Sequence, residues 1–186
     1  MTTETEIWAT EPLPPNVRLG ADVRMERRLQ TFQRFRTNHD PGLVLGDRVR
    51  VYTWTSFSVE DGVIEVGADS VLVGASFMCA ERITVGRGVV ISYNVTIADS
   101  DFHPTDPDLR RQDAIANAPE GDPSRRPRLE SQPIEIHDDV RIGIGAIVLK
   151  GVTIGAGAEI GAGAVITRDV PAGARMDGNP ARIADE

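Results

Sequence analysis

Every sixth residue from Ile136 to Ile166 is apolar and β-branched: Ile136, Ile142, Val148, Ile154, Ile160 and Ile166. Four positions after each comes a second small or apolar residue, Val140, Ala146, Val152, Ala158, Ala164 and Val170, and glycine follows the first at Gly143, Gly155 and Gly161. A helix repeats apolar residues every 3.6 positions and a simple strand every two, so neither accounts for a spacing of six. A chain that turns a corner after each short strand does, with one residue per side pointing inward. A flexible Gly/Ala linker would not place β-branched residues at fixed intervals, which excludes a low-complexity reading of this stretch.

The same count runs upstream through Val73, Cys79, Val85, Ile91 and Ile97, with Phe77, Ile83, Val89 and Val95 at the companion position. Its next step is His103. A weaker series, Leu45, Val51, Phe57 and Val63, comes first, and the phase break between Val63 and Val73 predicts irregular first coils. Residues 104–133 carry no repeat. Six prolines, Pro104, Pro107, Pro119, Pro123, Pro127 and Pro133, deny them regular pairing, and Arg110, Arg111, Arg125, Arg126 and Arg128 suit them to contact a polar ligand or a neighbouring subunit. The count resumes in full at Ile136, so the insertion is expected to project from a continuous coil as a wall.

At 186 residues the chain suits one domain. Its net charge of −8 argues against a nucleic-acid partner, whose phosphates demand Lys and Arg. No window is apolar enough to suggest a membrane span, and the opening MTTETEIWATEP has neither the basic nor the apolar region of a signal peptide, so a cytoplasmic location is expected. Cys79, the single cysteine, falls on an inward position and reads as a core residue rather than a nucleophile. In ADVRMERRLQTFQRFR, Met25, Leu29 and Phe32 at helical spacing and Asp22 as N-cap predict a short N-terminal α-helix laid over the open end of the coil.

The motifs IGAIVLKGVTIGAGAEIGAGAVITRDVPAG and GNPARI resemble those of the hexapeptide-repeat acyltransferases, over roughly residues 43–183. The resemblance implies an all-β fold, a left-handed parallel β-helix of triangular section, despite the usual right hand of parallel crossovers. An extension over residues 1–42 would precede the β-helix domain of 43–183, with the loop insertion at 104–133. DSDFHP followed by a long insertion is similar to the sugar O-acetyltransferases of the galactoside, maltose and polysaccharide type. That narrower resemblance implies direct transfer of an acetyl group from acetyl-CoA to a hydroxyl of a sugar or related polar small molecule, without a metal, in a homotrimer whose sites lie between neighbours.

Such a transfer needs a base near neutral pH, and His103, where the count breaks, is the candidate. Asp99, Asp101 or the preceding backbone could orient its ring, and Asn94 could either bond an acceptor hydroxyl or fill surface. By the family pattern, Ile144, Gly145, Ala162 and Gly163 would line a slot for the pantetheine arm of acetyl-CoA. Thr167 and Arg168 would continue it, and Arg182 and Lys150 would meet phosphates. Two departures stand out. VRIG puts Arg141 where relatives commonly carry a tryptophan, and RMDGNP puts Met176 and Asp177 where they carry small residues. Two competing readings follow. One is a non-catalytic hexapeptide scaffold or binding subunit; the other is a γ-type carbonic anhydrase, disfavoured because His39, His103 and His137 do not supply the close pair among three ligands that its zinc needs.

Overall fold

A computed structural model describes residues 12–26 and 31–184. The strands are short and, with one exception, parallel, and they stack into three sheets that form the three faces of a prism. The hand is left-handed and the class all-β. The first face stacks Val17–Leu19, Leu43–Leu45, Val63–Val66, Arg82–Val85, Ile134–Ile136 and Thr153–Ile154. The second stacks Arg24–Met25, Arg50–Tyr52, Val71–Val73, Val90–Ile91, Arg141–Ile142, Glu159–Ile160 and Arg175–Asp177. The third stacks Ser56–Val59, Ser76–Cys79, Thr96–Ala98, Ile147–Val148 and Val165–Ile166.

Inward residues form columns through these faces. Val85, Ile136 and Ile154 are in register on the first face, and Ile91, Ile142 and Ile160 on the second. Ile97, Val148 and Ile166 fill the third, and all of these residues are buried. Filling the axis with β-branched side chains stabilises the coil by roughly 1.5–3 kcal/mol for each side chain taken out of water. The companion residues Val140, Ala146, Val152, Ala158 and Ala164 are buried too, because they occupy the inner side of each corner, where little volume remains.

The phase of the first coils differs from the sequence reading. On the second face Leu72, not Val73, is in register with Val51 and Ile91 and fully buried, while Val73 is half-buried. On the third face Phe77 rather than Cys79 continues the column between Phe57 and Ile97. Large aromatic rings explain the slip: Phe57 and Phe77 stack with centroids 5.3 Å apart, and their strands run four residues where later strands run two.

The helix expected from Asp22 does not form. Asp22 sits in the left-handed region at φ 52, and Arg24–Met25 is a strand paired with Arg50–Val51, with Met25 buried in the second-face column. Leu29 lies outside the described residues. Farther on, the Phe57 amide donates to the Thr31 carbonyl and the Val59 amide to the Arg34 carbonyl, and Phe32 stacks on Phe57 at 5.9 Å. The open end of the prism offers edge amides and carbonyls, so the chain satisfies them by adding strands, which a helix could not do. For the same reason coiling starts at Val17, which pairs with Leu43, ahead of the boundary expected at residue 43. At the opposite end Met176 is buried in register with Ile160, and Arg182–Ile183 turns back antiparallel onto Met176–Asp177.

The insertion is not structureless. It contains the one α-helix among the described residues, Pro107–Ala116, here α1, and a 3₁₀ turn at Pro123–Arg125. Asp106 caps α1 by accepting from the amides of Asp108 and Leu109 at 3.0 and 2.9 Å, and Pro107 occupies the first turn, where its missing N–H costs nothing.

Candidate active site

The insertion leaves and rejoins the prism at the corner between the third and first faces, where a bridge between Ser100 and Ser131 closes its neck. His103 stands just beyond that neck. Its side chain is 62% exposed, and its Nδ1 lies 2.5 Å from Oδ2 of Asp113, on α1. Asp113 is fully buried. A buried carboxylate needs donors on both oxygens, and it has them: Arg126 Nε and Asn117 Nδ2 donate to Oδ1 at 2.8 and 3.1 Å, and His103 Nδ1 serves Oδ2. Burial raises the carboxyl's pKa, yet the hydrogen bonds from Arg126 and His103 outweigh that and hold it below the ordinary aspartate value, so Asp113 is ionised.

An ionised carboxylate at Nδ1 accepts the proton of that nitrogen, which leaves the lone pair on Nε2. No protein group among the described residues bonds Nε2. Arg126 is itself anchored by an ion pair to Glu60 and by a bond from its guanidinium to the Phe102 carbonyl at 3.3 Å. Glu60, Arg126, Asp113 and His103 thus form a chain of ion pairs that ends in a hydrogen bond to an exposed imidazole.

Neither aspartate proposed from the sequence orients the ring. Asp99 is buried and spends both oxygens on the amides of Ala80, Glu81 and Arg82, at 2.7, 2.8 and 2.9 Å, closing the corner of the preceding coil. Asp101 pairs with Lys150 at 2.6 Å, although its backbone carbonyl accepts from the His103 amide at 2.7 Å. Lys150 also approaches Glu130, at 3.5 Å, so its ammonium is engaged with carboxylates rather than held free for a phosphate. Asp113 escaped the sequence reading because it lies ten residues past His103, in a segment read as irregular. The Asp106-Pro107 pair that opens α1 is the signal that could have found the helix that carries it.

The expected donor residues divide between two corners. Ile144–Gly145 and Ala162–Gly163 stack at the corner between the second and third faces, joined by the Gly163 amide donating to the Ile144 carbonyl at 2.8 Å. Asn94 lies one coil above them at φ 56, a left-handed corner that asparagine tolerates, and is exposed. Gly145 and Gly163, at φ 70 and 69, have nothing within 4 Å of where a Cβ would stand, and Ile144 is 51% exposed. The result is an open, partly apolar ledge. Thr167 and Arg168, both exposed, lie instead at the corner of His103, below Lys150.

The two departures from the family pattern are accommodated. Arg141 points outward from the second face, 3.6 Å from Glu159. Asp177 pairs with Arg175 at 3.2 Å and packs so closely over Gly161 that a Cβ there would meet its Oδ1 at 1.6 Å. Arg182 folds onto its own backbone, bonding the carbonyls of Pro180 and Ala181 at 3.3 and 2.9 Å. Cys79 is buried, and burial pushes its thiol up, far from a thiolate nucleophile.

Residues 133–168 match the family model described as bacterial transferase hexapeptide (six repeats). The 2,3,4,5-tetrahydropyridine-2,6-dicarboxylate N-acetyltransferase of Staphylococcus aureus is 45% identical over 53 residues, 28% of this chain and 22% of that protein. The chain thus matches about a fifth of the length of these curated relatives. A hexapeptide-repeat acetyltransferase of Vibrio cholerae O1 biovar eltor, solved with acetyl coenzyme A, superposes with a TM-score of 0.61 at 27% identity, over 77% of this chain and 70% of that one. A maltose O-acetyltransferase of Clostridium difficile 630 superposes at 0.51 with 23% identity, over 92% of this chain and 67% of its own. The family model falls within the residues of the strict six-residue count, and the three-faced coil around them has the fold of the hexapeptide-repeat acetyltransferases.

Proposed function

We propose that the protein transfers an acetyl group from acetyl-CoA to a hydroxyl of a sugar or related polar small molecule, with His103 as general base. The observation that carries this reading is the contact of His103 with buried Asp113, which fixes the imidazole tautomer and leaves Nε2 as an accessible base beside an insertion wall. As the acceptor oxygen attacks the acetyl carbonyl, Nε2 takes its proton, and Asp113 stabilises the imidazolium that forms. The carbon–sulfur bond of the thioester then breaks, and His103 returns the proton to the leaving thiolate. No acyl-enzyme is needed, in keeping with a buried, protonated Cys79.

The ledge at Gly145 and Gly163 suits acetyl-CoA, but it stands at one end of the third face and His103 at the other. A base and a donor slot at different corners of one prism meet when two prisms pack side by side. Closed cyclic packing of a three-sided prism then gives a homotrimer with one site between each pair of neighbours. The curated relatives named above acetylate nitrogen, but their match covers only 28% of this chain, so the acceptor atom rests on the site. The scaffold reading is less well supported, because the bonds of Asp113 to Arg126 and Asn117 would hold the insertion without an exposed histidine on its other oxygen.

The test is acetyl-CoA turnover by wild type and His103→Ala over panels of sugars and amino sugars. Transfer to hydroxyl acceptors that falls some 10²–10⁴-fold in the variant, with CoA binding unchanged, supports the reading. Equal turnover by both proteins overturns it.

A further inference from the structure

Between the insertion and the coils that precede it runs a groove of about 1830 Å³, at the same corner of the prism as His103. One wall is Pro123–Pro133 of the insertion; the other is Glu60–Asp61, Ala80–Arg82 and the segment of Arg34 and Arg36. His103 does not line it. Arg126 does, and the same guanidinium bonds Asp113, so the groove lies one side chain away from the partner of the base.

The charges in this groove are unequally satisfied. Among its anions, Glu60 pairs with Arg126 and Glu130 lies near Lys150, whereas Glu81, which accepts from the Ser131 hydroxyl at 2.9 Å, and Asp61 have no ion pair among the described residues. Among its cations, Arg82 pairs with Glu65 and Arg126 with Asp113, whereas Arg34, Arg36 and Arg128 have no ion pair among the described residues. Three guanidinium groups without an ion pair therefore face two carboxylates without one, Asp61 and Glu81, in a chain whose net charge is −8. Guanidinium is the side chain best matched to carboxylate and phosphate, whose paired oxygens it meets with two parallel N–H donors. The concave walls lower the local dielectric and concentrate the field of these cations where a ligand would sit.

We propose that this groove is an anion-binding subsite that anchors the acceptor by a carboxylate or phosphate group beside His103, so that the preferred substrates are acidic sugars. The proposal rests on the acetyl-transfer reading for the purpose of the site, but not for its ligand. Anchoring acts through KM, since the group it holds takes no part in bond making, and salt weakens it by screening.

The test is calorimetric titration of the full-length protein with glucose, glucuronate and glucose 6-phosphate. Wild type, Arg36→Gln/Arg128→Gln and His103→Ala are compared, together with acetyl-transfer kinetics. At least one of the two acidic sugars should bind about tenfold or more tightly than glucose, the worth of one or two charge-assisted bonds. The tighter of the two identifies the anchored group. The double variant should lose that preference, and His103→Ala should keep it. Equal affinity of wild type for all three sugars overturns the proposal, as does a preference that survives in the double variant. Should the double variant fail to fold, perturbation of wild-type arginine side-chain resonances by glucose 6-phosphate and glucuronate decides, and shifts that spare Arg34, Arg36 and Arg128 overturn it. Anion binding without any acetyl transfer overturns the catalytic reading alone.

Discussion

Asp113 lies 2.5 Å from His103 across the corner of the prism, yet it belongs to the helix of the insertion and not to the repeat. The proposed base comes from the end of one coil and the carboxylate that contacts it from a helix outside the coils. Asp113→Asn keeps the size of the side chain but can offer an amide donor where the ring needs an acceptor. Turnover should fall by up to about 10²-fold, the cost of a misplaced reacting group, with CoA affinity unchanged. A steady-state comparison with His103→Ala checks this; the double variant should be no slower than His103→Ala alone, because both changes disable one unit.

The ledge can be tested apart from backbone cost. Gly163 is left-handed, so Gly163→Ala and Gly163→Leu both incur roughly 1–2 kcal/mol of strain, and thermal melting should show similar losses for the two. Space at the Cβ is open, so only the leucine reaches outward far enough to obstruct a pantetheine arm. CoA affinity should survive in the alanine variant and collapse in the leucine variant.

Arg168 offers a second test of donor placement. If it meets the nucleotide phosphates, Arg168→Ala should weaken CoA by about tenfold and leave a pantetheine fragment unaffected. Equal losses for both ligands would remove it from the nucleotide end.

Acid should release the insertion before it melts the coils. Because the folded pKa of Asp113 lies below its ordinary value of 3.8, its contribution to stability is fully present above about pH 4. That contribution is lost as pH falls through the lowered value. Amide exchange measured between pH 5 and pH 2.5 should show residues 104–133 losing protection below pH 4, while Ile142 and Ile160 keep theirs. In Asp113→Asn the insertion should be less protected at pH 5 and lack that acid step.

Replacing residues 106–131 with a short Gly/Ser bridge should leave the coils intact, since Gln132 stays hydrogen-bonded to Asp99 and Gly151. It also removes Asp113 and Arg126. The expected outcome is therefore a fall in kcat together with a rise in acceptor KM, with circular dichroism and CoA affinity retained. A change confined to KM would mean that His103 keeps its orientation without Asp113.

The repeat was readable because each inward position is chosen by one constraint, the limited volume of the prism axis, which accepts β-branched residues at Ile142, Val148 and Ile154 and little else. Where two bulky rings share that axis, at Phe57 and Phe77, the constraint acts on the pair, and a residue-by-residue count mistook Val73 for Leu72. The N-terminal segment misled for another reason: the helical spacing of Met25 and Phe32 is a local signal, and the unpaired edge of the coil, a tertiary one, overrode it. His103 stood out as the point where the count stopped. Its partner did not, because nothing in a single sequence says which carboxylate of an irregular segment will turn inward.

The neck at Ser100 and Ser131 makes the insertion a cassette, attached at one point to a coil that is complete without it. Exchange of this cassette between related chains would not carry acceptor preference alone. Because the same segment supplies Asp113, on the proposed mechanism each exchange would replace the orientation of the base together with the wall beside it, and a foreign loop without a matching carboxylate would leave His103 unheld. On the proposed mechanism selectivity and rate would travel as one module, while the ledge at Gly145 and Gly163, built from corners of the coil, would stay behind.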